Sequence, residues 1–165
     1  MDFAVRLATP DDAAGIRAVL DAVVAERVHT AIAEPWPVEE QRRYLASLSR
    51  REAFHVAVDG DRRVIGYQSL DLYSAILPSM SHVGQIGTFL HPEWRGRGAG
   101  TALFARTLAF ARENGYAKFA IQVRGSNAAA QRFYVELGFA VCGRLSRQVR
   151  IADAEDDEVL MEFFL

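Results

Sequence analysis

The sequence predicts a mixed α/β fold, with seven strands and four helices in the order β-α-α-β-β-β-α-β-α-β-β. Three observations carry this expectation. Short apolar segments of strand type alternate with stretches whose apolar residues recur every three or four positions. Turn and cap residues punctuate the chain between them. Half of the 165 residues are hydrophobic, enough for one sizeable core, so a single domain over residues 1–165 is expected.

The elements follow in order. FAVRLA (residues 3–8) alternates loosely and reads as a strand. Thr9 is a plausible N-cap and Pro10 suits a first helical position, so a helix is expected over about 10–26, with Ile16, Val19, Leu20 and Val23 as its apolar stripe. The two prolines of VHTAIAEPWP (28–37) break any helix. A second amphipathic helix is expected over about 38–50, with Val38, Tyr44, Leu45 and Leu48 on one side. FHVAV (54–58) and VIGYQSLDLY (64–73) flank Asp59-Gly60-Asp61, a hairpin signal. A fourth strand spans 82–90, and a long helix runs over about 98–114 to the cap pair Asn114-Gly115. FAIQV (119–123) reads as a buried strand, and Ser126 to Leu137 as a helix closed by Gly138. Two strands, about 139–149 and 157–164, complete the chain.

The net charge of −2 gives no overall basic character, so nothing favours nucleic-acid or anionic-membrane binding. The single cysteine, Cys142, excludes an internal disulfide and is expected as a small core residue. The chain offers no transmembrane-length apolar run and no signal-peptide core, which makes a cytoplasmic location the expectation. Lys118 is the only lysine among 19 basic side chains, a compositional habit with no mechanistic reading.

The chemistry concentrates in HPEWRGRGAG (91–100), where Arg95 to Gly100 holds three glycines and two arginines between a strand and a helix. Helix N-termini leave backbone N–H groups unpaired and carry partial positive charge. Glycines let a ligand approach the backbone closely. Together these make an anion cradle that suits a diphosphate, with added charge from Arg95 and Arg97. Two familiar phosphate loops do not fit. The dinucleotide fingerprint needs a glycine where Thr101 stands, and the chain has no Gly-Lys pair for a Walker loop.

Arg95-x-x-Gly98-x-Gly100 resembles the acetyl-CoA pyrophosphate loop of the GNAT N-acetyltransferase superfamily. FLHPEWRGRGAGTAL is similar to the whole strand-loop-helix unit of that family, and VRGSNAAAQRFYVELGF (123–139) to its next strand-helix unit. The two motifs cover roughly residues 84–140. The resemblance implies a GNAT-like fold, a central mixed seven-stranded sheet flanked by about four helices. It implies acetyl-CoA as acetyl donor, with no metal. By this resemblance Thr88, Phe89 and Leu90 pair with the pantetheine arm through backbone groups where two parallel strands splay apart. Arg95, Gly96, Arg97, Gly98, Ala99 and Gly100 hold the pyrophosphate, and Asn127 contacts the CoA arm, although Ser126 or Asn127 could equally serve only as helix N-cap. Tyr134 matches the tyrosine that gives a proton to the leaving thiolate, and a strand N–H near Leu90 stabilises the oxyanion.

The acceptor side is less defined. Some relatives carry a glutamate base on the fifth strand, where this chain has Gln122. On the fourth strand, beside Gly84 and Gln85, only His82 is a candidate base, while His91 before Pro92 is structural. Glu34 is a candidate for binding a cationic amine, and His29 and Trp36 share its loop. The acidic run Glu155-Asp156-Asp157-Glu158 reads as a solvated turn whose last carboxylate could reach a positively charged substrate. A small amine, amino acid or amino-acid-like antibiotic is the expected acceptor. A peptide N-terminus or protein lysine is the alternative, and a catalytically weak acyl-CoA-binding module is a different class of answer, which retention of Tyr134 argues against. A homodimer is also expected, with the Tyr67–Tyr73 strand and LMEFFL as its shared sheet edge.

Overall fold

One mixed sheet of seven strands organises the chain, and the computed structural model describes residues 2–165 of it. The strands are β1 (Phe3–Leu7), β2 (Ala53–Asp59), β3 (Val64–Leu72), β4 (Val83–Leu90), β5 (Lys118–Arg124), β6 (Ala140–Ile151) and β7 (Ala154–Phe164). Their spatial order is β1-β2-β3-β4-β5-β7-β6. The helices are α1 (Ala13–Ala25), α2 (Val38–Ser47), α3 (Ala99–Glu113) and α4 (Ala128–Glu136). The expected α/β class and element order both hold.

Helices cover both faces because both faces are apolar. Ile16, Val19, Leu20 and Val23 of α1 are all buried, and with Leu45 of α2 they pack on Phe54, Val56 and Tyr67. Phe104 of α3 and Tyr134 of α4 pack on the opposite face, against Phe119, Ile121 and Met161. Phe104, Phe119, Phe139 and Phe163 form a ring cluster there, with centroids 5.1 to 6.3 Å apart. Phe163 is partly buried, and each fully buried ring of the cluster contributes about 1.5–3 kcal/mol.

Among the described residues only β4 and β5 pair in parallel, and they part early. Val83, Gly84 and Gln85 face Lys118, Phe119 and Ala120, and the ladder stops there. Each strand stays with its other partner. β4 remains paired to β3 as far as Gly66↔Leu90, and β5 to β7 as far as Arg124↔Glu158. A V-shaped opening results in the middle of the sheet.

Several expectations are corrected. The first helix begins with a 3₁₀ turn, Pro10–Asp12, before α1. The Asp12 carboxylate accepts from the Thr9 N–H at 2.8 Å and pairs with Arg6 at 2.7 Å, which tightens that turn. α2 ends at Ser47, because Leu48 is extended and the Ser49 N–H turns to the Glu52 carboxylate. β6 and β7 run on to a two-residue turn at Ala152-Asp153, both with positive φ, so no longer loop separates the two strands. The turn carries neither the glycine nor the asparagine that ordinarily signals one. Cys142 is exposed, since it sits at an irregularity of the β6–β7 ladder, on a strand with only one neighbour. β3 and β7 are interior strands, so neither the Tyr67–Tyr73 segment nor LMEFFL is a sheet edge; the edges are β1 and β6.

Candidate active site

Backbone alternation decides what the split offers. The Val83 carbonyl accepts from the Tyr73 N–H, and the His91 N–H donates to the Ile65 carbonyl, so odd residues along β4 bond toward β3. Even residues, Thr88 and Leu90 among them, therefore turn their N–H and C=O groups into the opening. Phe89, by contrast, turns its backbone groups toward β3, and its ring stacks on Tyr67 at 4.9 Å.

A cleft of about 560 Å³ fills the opening. Thr88, Phe89, Leu90, Arg95, Gly96, Asn127 and Tyr134 all line it, as does His29. At its mouth Gly96 and Gly98 have φ of +70° and +84°, a conformation that side chains rarely adopt. Gly98 precedes α3, and no side chain caps that helix. The Ala102 N–H is the first to bond back, to the Gly98 carbonyl, which leaves the N–H groups of Ala99, Gly100 and Thr101 without intrahelical partners. Arg97 lies over the Trp94 ring at 5.2 Å. The donor set, an uncapped helix end next to a glycine turn, fits a diphosphate.

The Arg95 guanidinium is differently engaged. It pairs with Glu26 at 2.5 Å and lies 3.2 Å from His29 Nε2. Arg95 holds the Glu26 carboxyl below its usual range. From the other side of the cleft, buried Arg124 donates to the carbonyls of Arg27 at 2.6 Å and Thr30 at 3.4 Å. Its charge is matched by Asp156 at 2.9 Å. Burial works to raise the Asp156 carboxyl, but the Ser126 hydroxyl and Arg124 outweigh it and hold it low. Asn127 caps α4 through Oδ1, accepting from the Ala130 N–H at 3.1 Å, and its Nδ2 donates to the His29 carbonyl at 3.2 Å. The segment from Glu26 to Thr30 is thus strapped across the cleft from both sides.

At the inner end, Tyr134 Oη donates to Thr88 Oγ1 at 2.9 Å. Burial pushes its phenol up to about 12, offset in part by Thr88, so Tyr134 is protonated at neutral pH. Gln85 Nε2 lies 3.4 Å from Gln122 Oε1 where the strands part, and neither amide is a base.

Other candidates fall elsewhere. His82 is exposed, one residue before β4 at the end remote from the glycine loop, and is not among the cleft residues; its carbonyl accepts from the Ala117 and Lys118 N–H groups. Glu34 is exposed and outside the lining. Trp36 is 51% exposed and packs edge-on to Tyr44, outside the cleft. The acidic run divides. Glu155 pairs with Arg147 and Arg150, Asp156 with Arg124, and Asp157 with Arg144. Glu158 has no ion-pair partner among the described residues and lines the cleft, as does Glu136. Two groups, buried Gln68 and half-buried Asp71, carry no sequence signal. Gln68 meets Thr88, and Asp71 bonds the Tyr44 hydroxyl, with burial raising its carboxyl. Their partners lie 20 and 27 residues away in the chain.

Among the described residues no cluster of His, Cys, Asp or Glu has metal-binding geometry, and no helix is long and apolar enough to cross a membrane.

Known proteins resemble this chain in sequence and in fold. YwnH of Bacillus subtilis (strain 168), named provisionally as a phosphinothricin acetyltransferase, is 23% identical over 138 residues, 84% of each chain. The phosphinothricin acetyltransferase Pat of Sinorhizobium meliloti, solved in complex with acetyl-CoA, superposes with a TM-score of 0.91 at 22% identity. That match covers 100% of this chain and 89% of Pat. The ribosomal-protein-alanine N-acetyltransferase of Brucella melitensis gives a TM-score of 0.89 at 21% identity, covering 98% and 99% of the two chains. The likeness to these structures shows a shared fold. The family model for the acetyltransferase (GNAT) family matches residues 18–139, a stretch that takes in the glycine loop, the strand split and Tyr134, and the chain belongs to that family.

Proposed function

We propose that this acetyltransferase moves an acetyl group from acetyl-CoA to the primary amine of a small amine, amino acid or amino-acid-like antibiotic. The observation that carries this reading is the cleft through the β4/β5 split, open from the glycine loop to Tyr134. Bound acetyl-CoA supplies an activated thioester. The chain's own groups do the rest. The free N–H groups at the start of α3 hold the diphosphate, and Thr88 and Leu90 present backbone groups to the pantetheine amides. The Leu90 N–H stabilises negative charge on the acetyl oxygen, and Tyr134 gives its proton to the leaving thiolate.

Glu158 supports a cationic acceptor. It is the carboxylate of its run left without an arginine, and it stands on the cleft wall opposite Arg124 in the β5–β7 register. The two relatives named for phosphinothricin, itself an α-amino acid, agree with an amino-acid-like acceptor. Release of free thiol from acetyl-CoA, measured over a panel of amines, amino acids and peptide N-termini, tests the assignment. Turnover with small amines or amino acids and none with peptides is expected. Turnover with peptides alone would assign the enzyme to protein N-termini, and inertness to the whole panel despite tight binding would make it an acyl-CoA-binding module. A homodimer belongs to the same reading, formed at the exposed edge strand β6, where Val141 is 59% exposed. The mass by light scattering tests it, with twice the chain mass expected.

A further inference from the structure

A row of polar side chains, buried except for half-buried Thr88, crosses the sheet beneath the cleft, and of these side chains only the last, Tyr134, takes part in the proposed acetyl transfer. His55 of β2 faces Gln68 of β3, and Gln68 faces Thr88 of β4, in consecutive registers. Gln68 Nε2 donates to Thr88 Oγ1 at 2.7 Å, and Tyr134 Oη donates to the same oxygen at 2.9 Å. At the far end His55 Nδ1 lies 3.0 Å from Thr107 Oγ1 of α3. Gln68 and Thr107 are fully buried, and His55 is 5% exposed. Burial lowers the His55 imidazole to about 4, so it is neutral here.

Such a row is costly. An unpaired buried polar atom is destabilising, and Gln68 Oε1 has no partner among the described residues. A leucine at position 68 would avoid that cost and serve the sheet equally well. The polar group has another use.

We propose that Thr88 and Gln68 are positioning residues for Tyr134, fixing its hydroxyl in the cleft and stabilising it once its proton has gone. Resting on the reading of Tyr134 as proton donor, the step runs as follows. The Oη–H bond of Tyr134 breaks, an S–H bond forms on the departing thiolate, and the electron pair stays on Oη. Thr88 Oγ1 accepts from both Tyr134 and Gln68, so its own proton is committed to neither. The Thr88 hydroxyl turns about its Cβ–Oγ bond and donates to the phenolate, while Gln68 continues to donate to Oγ1. Water returns the proton to Oη afterwards. Hydrogen bonds to an ionised oxygen are about twice as strong as neutral ones, so the pair acts at the transfer step. Thr88 would meet the pantetheine only through its backbone, so its side chain has no part in cofactor affinity.

The test is a double-mutant cycle of Thr88→Val and Tyr134→Phe, with Thr88→Ser as the conservative variant and Gln68→Met as a second probe. Steady-state turnover and the KM for acetyl-CoA are the readouts. Thr88→Val should lower kcat by about tenfold, and Gln68→Met by less, with KM within about twofold of wild type. Thr88→Ser should restore most of kcat. In the Tyr134→Phe background Thr88→Val should cost nothing further. An equal loss in both backgrounds, or wild-type kcat in Thr88→Val beside a slow Tyr134→Phe, overturns the proposal alone. Full turnover in Tyr134→Phe removes Tyr134 from the mechanism as well.

Discussion

The two ends of the cleft are made in opposite ways. The end proposed to hold the diphosphate is one continuous stretch, Arg95 to Gly100, whose donors are backbone N–H groups aimed by two glycines of positive φ and a helix start. The other end, where we place the acceptor, is assembled from afar. Arg124 reaches 97 residues back to the Arg27 carbonyl, and Asp156 is 32 residues from the arginine it neutralises. The first kind of site survives most side-chain changes and fails when its backbone is blocked. The second tolerates backbone variation and fails when a single charge is removed. This contrast sets where the protein is fragile.

The sharpest way to break the contrast is Gly98→Glu. A side chain at φ +84° costs about 1–2 kcal/mol of strain, and a carboxylate there repels the diphosphate. Acetyl-CoA-dependent turnover should fall below detection at any acceptor concentration. Next is Tyr134→Phe, which removes the proton donor and leaves the cradle whole. Its kcat should fall about 100-fold with the KM for acetyl-CoA unchanged. With the phenol at about 12, turnover should show no alkaline decline from Tyr134 below about pH 11.

Asp156→Asn probes the assembled end. Arg124, 9% exposed, would keep a buried charge without its partner, at about 3 kcal/mol. A fall in Tm of about 8 °C, seen by calorimetry, is expected. The pH sign follows from the depressed carboxyl. Asp156 contributes its stability above the unfolded carboxylate pKa of about 3.9 and loses it as pH falls through the lower folded value. The variant's deficit should therefore be full at neutral pH and shrink on acidification below about pH 4. The smallest effect is expected from Glu158→Gln, which keeps the shape of the cleft wall and removes its charge. The acceptor KM should rise about fivefold, with the KM for acetyl-CoA unmoved. A change in the acetyl-CoA KM instead would move Glu158 to the cofactor side.

The same contrast explains what could be read from the residues alone. Most helices and strands are signalled by local periodicity and turn residues, so the element order and the glycine cradle are legible in the sequence. Tyr134 and Asn127 come with the second motif, and Asn127 adds a cap that its position suggests. Legibility ends where contact is long-range. Nothing near Gln68 points to Thr88 twenty residues on, and nothing near Asp71 points to Tyr44. The fate of the acidic run depends on which arginines β6 and β5 bring to it, and only pairing of the strands separates Glu158 from its neighbours. His82 and Glu34 have suitable chemistry in suitable segments. One sits at the wrong end of β4, and the other lies beyond the strapped part of its loop. Cys142 reads as core because its neighbours are apolar, while its strand lies at the sheet edge.

Calorimetric titration of the purified protein with acetyl-CoA tests the central claim most directly. The cradle and the split predict saturable binding with one site per chain. No heat of binding up to high micromolar acetyl-CoA would contradict it and reduce the glycine loop to a turn.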